Sequence, residues 1–358
     1  MSRNLKAKQP RPKRSRTLLA SWSIFVAVIV AFFGWTVFAP TYPDLRMSNA
    51  LVLDLPEATP LEEFVFANAE ELEDNVLDGG SETIWDLVTS NLVEETEMGL
   101  LPAIADDGLQ PRQAYAEKAD VNPKNPRIAI IVTNLGPDHI LTSQAIERLP
   151  SPVTLAFSPY TAAINQSIKQ ARDHHHEVLL GIALESQRSP TSNLSPHTLL
   201  TYLSPEENTQ RLHWILSQTG GYVGLVGLSG SQFLNNQTAL EPFFRQLKDR
   251  GLLFVDSQAV ATANNLAQDM QLPHLACSHV LKQTPDSTPL ERQLHNLERD
   301  ARRKGQAIAI VQANTSSLEV LSHWTPTLEQ KGLTLIPITA LLPAPEVAII
   351  MTKRDTQE

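Results

Sequence analysis

The chain has 358 residues, of which 42% are apolar and 19% are charged, and its formal net charge at pH 7 is −10. A chain of this length buries one sizeable hydrophobic core with residues to spare. The charge is uneven: residues 1–17 carry seven Lys and Arg and no acid, and residues 41–120 carry 19 acids against three basic residues. The remainder is nearly neutral, which argues against nucleic acid as a partner. Cys277 is the single cysteine, which excludes an intrachain disulfide and a multi-thiolate zinc site.

Leu18–Ala39 is an uncharged stretch of 22 residues with an aliphatic centre. As a helix it is long enough to cross the roughly 30 Å hydrocarbon layer. The basic tail, residues 1–17, comes directly before it, so the positive-inside rule predicts a cytoplasmic N-terminus and a translocated remainder. A cleaved signal peptide is the alternative, but no Ala-x-Ala-type cleavage site follows the stretch. We therefore expect an uncleaved transmembrane anchor at residues 18–39.

Residues 40–125 form an acidic stretch that is low in aromatic residues. Such a composition does not bury enough apolar surface to offset the conformational entropy of the chain, so the stretch is expected to be a disordered linker. Residues 61–77 have the pattern of a short amphipathic helix and are a candidate partner site. A solvated tether is the simpler interpretation of the same residues.

From Arg127 onwards, short apolar runs alternate with helical patterns. The first run, Ile128–Val132, is rich in β-branched residues and too short for a helix, which indicates a strand buried on both faces. Strands are predicted at 128–132, 153–158, 177–184, 222–229, 252–257, 274–278, 307–313 and 333–339. Helices are predicted between them at 162–173, 205–218, 238–248, 261–269, 289–304 and 318–330. The alternation predicts a mostly parallel sheet, either open or closed into a barrel.

Right-handed crossovers bring the carboxyl ends of all these strands to one side of the sheet. Polar side chains collect there, at Thr133-Asn134, Ser158-Pro159-Tyr160, Glu185-Ser186, Ser229-Gly230-Ser231, Asp256-Ser257, Ser278-His279 and Gln312-Ala313-Asn314. Hydroxyls, amides and two carboxylates suit a polar ligand such as a carbohydrate. They are also what the solvated rim of any such barrel contains, so this pattern alone does not identify a ligand.

The order of the strand-end motifs is more specific. The first strand ends in Thr-Asn-Leu-Gly at 133–136, where the divergent polysaccharide deacetylase family has Asp-Asp-Leu-Gly. The family's Ala-Phe-Ser-Pro-Tyr run is intact at 156–160, and its His-Glu-Val-Leu-Leu segment is intact at 176–180. Its Asn-His-Met-Gly-Ser corresponds to Gly-Leu-Ser-Gly-Ser at 227–231. Its Leu-Asp-Ser becomes Val-Asp-Ser at 255–257, and its late Gly-His-Pro becomes Val-Gln-Ala at 311–313. Residues 126–342 thus resemble this family, which implies an irregular (β/α) barrel.

The resemblance also implies a lost metal site. In polysaccharide deacetylases one Asp of the pair is the base, while the other Asp and two His hold a divalent ion that activates water. The corresponding residues are Thr133 and Asn134 for the Asp pair, and Leu228 and Gln312 for the two His. Neutral oxygens and a leucine bind a divalent ion poorly, so no cofactor is expected. Asp256 is retained. We expect its carboxylate either to contact a ligand or to accept hydrogen bonds from nearby backbone N–H groups.

No other cluster has the spacing to replace this site. His174-His175-His176 is expected at the opposite end of the barrel, and adjacent residues do not share one helix face. The Cys277-Ser278-His279 run suggests a Cys-His dyad, which we do not expect from an extended segment. Ser229-Gly230-Ser231 lacks the context of a nucleophile elbow.

The expected architecture is an α/β irregular barrel of the polysaccharide deacetylase type, preceded by one transmembrane helix and a disordered acidic linker, with a C-terminal tail at 343–358. We expect a bacterial inner-membrane anchor with the barrel in the periplasm of a Gram-negative envelope. The expected function is that of a pseudoenzyme that binds an envelope glycan or a peptidoglycan-related protein. The alternatives are an active hydrolase with a rearranged site and a scaffold that acts through its acidic tether. The candidate cleft residues are Thr133, Asn134, Glu185, Ser231, Asp256 and Gln312.

Overall fold

The computed structural model describes residues 90–119, 124–187, 195–282 and 289–343. These residues all belong to the compact unit Asn68–Glu358. The predicted anchor at 18–39, most of the linker and the C-terminal tail beyond residue 343 lie outside the described residues. Within the described ranges, no helix is long and apolar enough to cross a membrane.

Eleven strands are found in the described residues, and the eight predicted strands are among them, most of them shorter than predicted. The strands are β1 (Val93–Thr96), β2 (Gly99–Pro102), β3 (Arg127–Leu135), β4 (Thr154–Phe157), β5 (Val178–Ile182), β6 (Gly224–Gly227), β7 (Leu253–Asp256), β8 (His274–Ala276), β9 (His279–Leu281), β10 (Gln306–Gln312) and β11 (Thr334–Leu335). β1 and β2 form an antiparallel hairpin, and the other nine are parallel.

Ten helices accompany the strands in the described residues. They are α1 (Pro111–Ala114), α2 (His139–Arg148), α3 (Ile164–Asp173), α4 (Pro205–Ser217), α5 (Ser231–Asn235), α6 (Gln237–Asp249), α7 (Ala261–Met270), α8 (Leu290–Lys304), α9 (Thr315–Trp324) and α10 (Thr327–Gln330). The predicted helix at 318–330 is therefore two helices. The break falls at Pro326, which has no N–H to donate into a continuing helix.

The large sheet has the strand order β8-β7-β6-β5-β4-β3-β10-β9, and β11 also pairs with β3. Its two edge strands, β8 and β9, are separated in sequence only by Cys277 and Ser278. The Cys277 N–H donates to Asp256 O (2.8 Å), and the Ser278 N–H donates to Ile308 O (2.9 Å). One segment, residues 274–281, therefore joins β7 to β10, so the sheet curves round on itself like a barrel.

Alternation along the strands separates two hydrophobic clusters. One contains Ala129 and Ile131 of β3 with Val255 of β7 and Ile308 and Ile310 of β10, and it fills the inside of the curved sheet. The other contains the intervening strand residues, such as Ile130 and Phe254, and lies under the helices. The mouth of the barrel is the end where the parallel strands finish. Because side chains alternate along a strand, this division shows which side chains at that end point inward.

The predicted linker boundary at residue 125 is wrong for the described part of the linker. The β1–β2 hairpin and α1 pack against the barrel, with Leu92 and Leu101 fully buried and Tyr115 8% exposed. Arg250 holds the hairpin through Glu94 (2.6 Å) and the Pro102 carbonyl (3.0 Å). The acidic average over residues 40–125 hides short apolar runs such as 99–102. The folded domain therefore includes residues from at least Ser90.

Candidate functional site

The mouth of the barrel is built from four positions at, or just beyond, the carboxyl ends of four strands. Thr133 continues the inner face of β3 and Gln312 that of β10, and the two are Cα partners in the sheet. Leu228 and Ser257 each follow the last pair of the β6–β7 ladder, Gly227 with Asp256. Alternation places Leu228 on the side of Val226 and Ser257 on the side of Val255, both of which belong to the inner cluster.

Thr133 and Asn134 lie at an irregularity of β3. The register between β3 and β4 shifts between Val132 and Leu135, as in a β-bulge, and Asn134 has a positive φ of 65°. Bulges of this kind re-aim side chains next to functional sites. The Thr133 hydroxyl is buried and donates a long bond to Val311 O (3.4 Å), while Asn134 is exposed.

Leu228 provides an apolar floor where the family keeps a histidine. Its side chain is 45% exposed. Its Cδ1 atom lies 3.2 Å from where a β-carbon on Gly181 would stand, so the leucine lies over the backbone of β5. This position therefore has no donor or acceptor to offer a ligand.

The structure gives Asp256 a role in local backbone structure. The side chain is fully buried on the side of Phe254, under the helices. Its Oδ1 accepts from the Gln258 N–H (2.7 Å) and its Oδ2 from the Val260 N–H (2.6 Å). Both oxygens thus hold the turn that begins α7, and the carboxylate has no surface at the mouth.

Glu185 and Ser231 also have protein partners. Glu185 is 7% exposed, and its Oε2 accepts from both the backbone N–H and the hydroxyl of Thr201, each at 2.6 Å. The Ser231 hydroxyl accepts from the Gln187 N–H at 3.3 Å, at the start of α5. The structure therefore pairs Thr133 with Gln312 at the mouth and leaves Asn134 exposed at the bulge next to them, while Glu185 and Ser231 fasten the loops beside it.

Ser257 was not among the predicted cleft residues. It is 7% exposed, and its Oγ atom is buried without a hydrogen-bond partner. The sequence signal for Ser257 is its position in the Val-Asp-Ser run at a strand end. The carboxylate of Asp256 in the same run was the predicted ligand contact. Tyr160, from the Ala-Phe-Ser-Pro-Tyr run, is 42% exposed and stacks with Trp214 at a centroid distance of 5.2 Å.

The other reactive side chains lie elsewhere. His176 is buried at the amino ends of the strands, between Val153 O (2.8 Å) and Ile146 O (3.0 Å). His279 binds Asp300 at 3.0 Å. Cys277 belongs to the inner cluster, and burial raises the pKa of its thiol to about 11. The Cys277 Sγ contacts the His279 carbonyl, not its ring, so the two side chains form no dyad.

The donor set at the mouth does not fit a divalent ion. The four inner positions present two hydroxyls, one amide and a leucine, whereas catalytic metal sites are built from imidazole, carboxylate or thiolate ligands. Across the described ranges, no group of three or more His, Cys, Asp or Glu side chains is placed to hold a metal ion. A groove of about 880 Å³ lies at the opposite end of the barrel, between Leu149, Pro326 and Leu335, and none of its lining residues belongs to the mouth.

Solved structures resemble this domain. A crystal structure of an uncharacterized protein from Agrobacterium tumefaciens C58 is 33% identical, with a TM-score of 0.65, and covers 68% of this chain and 99% of that chain. The catalytic domain of a peptidoglycan N-acetylglucosamine deacetylase from Eubacterium rectale is 13% identical (TM-score 0.38; 63% of this chain, 94% of that chain). A mutant of a CE4 family pseudoenzyme is 14% identical (TM-score 0.34; 67% of this chain, 74% of that chain). A comparison with curated proteins found no match.

The family assignment rests on the sequence of the barrel itself. Residues 130–342 match the family model described as divergent polysaccharide deacetylase, which is more than half of the 358 residues. The matched region runs from the middle of β3 to just beyond β11 and so contains the strand ends that form the mouth. This chain belongs to the divergent polysaccharide deacetylase family.

Proposed function

We propose that this protein is a non-catalytic member of its family that binds an envelope glycan at the mouth of the barrel. Thr133, Asn134 and Gln312 would supply hydrogen bonds to the glycan. The family and the position of the mouth support a carbohydrate ligand. The side chains support binding without hydrolysis, because a hydrolase of this type needs an ion and a base at that place.

The observation that carries the proposal is the position of the two remaining carboxylates. Asp256 is fully buried with both oxygens bonded to backbone N–H groups, and Glu185 is bonded to Thr201. Neither carboxylate replaces the family's Asp pair, whose positions hold Thr133 and Asn134. A mouth without a base or an ion ligand keeps its shape and its hydrogen-bonding groups but lacks the means to activate water.

We also propose that the domain is held at the periplasmic face of an inner membrane by residues 18–39. The support is the uncharged stretch with a basic tail before it and acidic residues after it. Reporter fusions after Glu358 test this arrangement. A periplasm-dependent reporter should be active, and activity of only the cytoplasm-dependent reporter would show the opposite topology.

Binding and product release by the purified full chain in detergent test the function. Calorimetric titration with soluble peptidoglycan fragments should give saturable binding, and the same mixtures should release no acetate. Acetate release would favour a hydrolase with a rearranged site. Absence of glycan binding, with the cellular function surviving in a Gln312→Trp variant whose mouth is blocked, would favour a scaffold acting through the acidic tether.

A further inference from the structure

The buried hydroxyl of Ser257 has no hydrogen-bond partner. The residue is 7% exposed, and its Oγ atom is buried and unpaired. The large majority of buried side-chain polar atoms in folded proteins are hydrogen-bonded, so each exception calls for a ligand, a water or another explanation. Leaving such a group unpaired costs about 1–3 kcal/mol.

The position of Ser257 connects this hydroxyl to the mouth. Its neighbour Asp256 pairs with Gly227, so Ser257 lies beside Leu228 on the adjacent strand. Both continue the inner face of their strands, whereas Asp256 lies on the outer face. The hydroxyl thus lies at the base of the mouth, next to an exposed apolar side chain.

The other three inner positions of the mouth carry no charge. They are Leu228, Thr133 and Gln312, and the carboxylates after β5 and at the last residue of β7 are bonded to Thr201 and to the α7 turn. A charged ligand group would lose its hydration here without gaining an opposite charge. An uncharged hydroxyl or amide with an apolar face beside it fits both Ser257 and Leu228.

We propose that Ser257 is a ligand-binding residue that hydrogen-bonds an uncharged hydroxyl or amide group of the bound glycan, with Leu228 contacting the apolar face of the same sugar ring. This inference rests on the proposed glycan-binding function and adds the ligand's charge class and a residue to it. Recognition at the base of the mouth is then independent of metal ions and of ionic strength.

Calorimetry on the full chain in detergent tests the inference with three probes. These are the neutral tetramer of N-acetylglucosamine, its cationic deacetylated form and an anionic tetragalacturonate. The neutral probe should bind best, equally well at low and high salt and with or without a chelator. Ser257→Ala should weaken it roughly 2- to 12-fold, the range expected for one neutral hydrogen bond. Ser322→Ala, a serine-to-alanine change at the opposite end of the barrel, should leave affinity unchanged.

Folding of the variant is checked separately. Because the Ser257 Oγ makes no bond within the protein, Ser257→Ala should unfold at the same or a higher temperature than the parent chain. If no probe binds the parent chain, the proposed function itself fails. If the neutral probe binds and Ser257→Ala binds it equally well, or if a charged probe binds better, the function stands and this inference is wrong.

Discussion

The side chain of Leu228 lies over Gly181 of the neighbouring strand, with its Cδ1 atom 3.2 Å from the point where a β-carbon on Gly181 would stand. The leucine therefore fills the space at the mouth where the family places an ion-binding histidine. Leucine in this position therefore changes the shape of the site as well as removing an ion ligand.

The full chain incubated with zinc, cobalt or manganese should retain no stoichiometric ion and should release no acetate from N-acetylated glycans. Without an ion, bound water stays un-ionised at neutral pH, and without a base the reaction loses a further 10²- to 10⁴-fold in rate, as a typical magnitude. Metal analysis after gel filtration and an acetate assay measure both quantities. Acetate release that a chelator abolishes would contradict this prediction.

Asp256→Ala should lower the free energy of unfolding by about 3 kcal/mol. The change removes two charge-assisted hydrogen bonds and leaves the buried turn before α7 with unpaired N–H groups. Urea unfolding measures the loss. Asp256→Asn, which keeps one acceptor oxygen, should lose less. A variant that retains full stability but loses glycan binding would assign the residue to the ligand instead of the turn.

Gly136→Ala should be more destabilising than Gly332→Ala by about 1–3 kcal/mol. Both glycines have positive φ, 110° and 68°, so both changes strain the backbone. A β-carbon at Gly136 would also overlap the Thr161 hydroxyl, whereas one at Gly332 meets nothing within 4 Å. The expected difference therefore combines this overlap with the greater backbone strain at a φ of 110°, which lies outside the left-handed helical region. Equal unfolding midpoints for the two variants would refute the close contact.

A fragment of residues 90–343 should be more stable than a fragment of residues 125–343, by on the order of 5 kcal/mol. The shorter fragment loses the buried side chains of Leu92, Leu101 and Tyr115, each worth roughly 1.5–3 kcal/mol. Urea unfolding of the two fragments gives the difference. Coincident transitions would mean that the hairpin contributes nothing to the barrel.

The contribution of Glu177 to stability should fall as the pH rises above about 4.5. Its carboxyl is fully buried and accepts from the Glu117 N–H (3.1 Å) and from the N–H (3.1 Å) and hydroxyl of Thr339. Burial raises the pKa of Glu177 despite these bonds. The unfolded chain then binds fewer protons than the folded chain above the ordinary pKa, so stability is full below that pH and decreases above it.

Glu177→Gln removes this titration, so the difference between the two pH–stability curves isolates Glu177. The difference is needed because burial lowers the pKa of the adjacent His176, which makes stability rise with pH up to the ordinary histidine pKa. From acidic to neutral pH, the stability of the parent chain should fall relative to that of Glu177→Gln. Parallel curves would show that Glu177 keeps its ordinary pKa in the folded chain.

The amino-acid sequence by itself determined most of the strands and helices, the order of the strand-end motifs and the loss of the family's ion-binding residues. These features are local: the five apolar residues Ile128–Val132 predict a buried strand wherever it pairs, and Leu228 binds no ion in any surroundings. The break at Pro326 was equally local and readable, although the prediction had one helix there.

Only the tertiary structure decided which face each polar residue occupies and what it contacts. Asp256 and Ser257 are neighbours in sequence, yet one is bonded under the helices and the other is unpaired at the mouth. Alternation predicts that they differ, but the curvature of the sheet decides which of them faces inward. Likewise, the packing of Leu101 and Tyr115 depends on partners far away in the chain. Such long-range contacts leave no periodic signal in an acidic stretch, which is why the hairpin was missed.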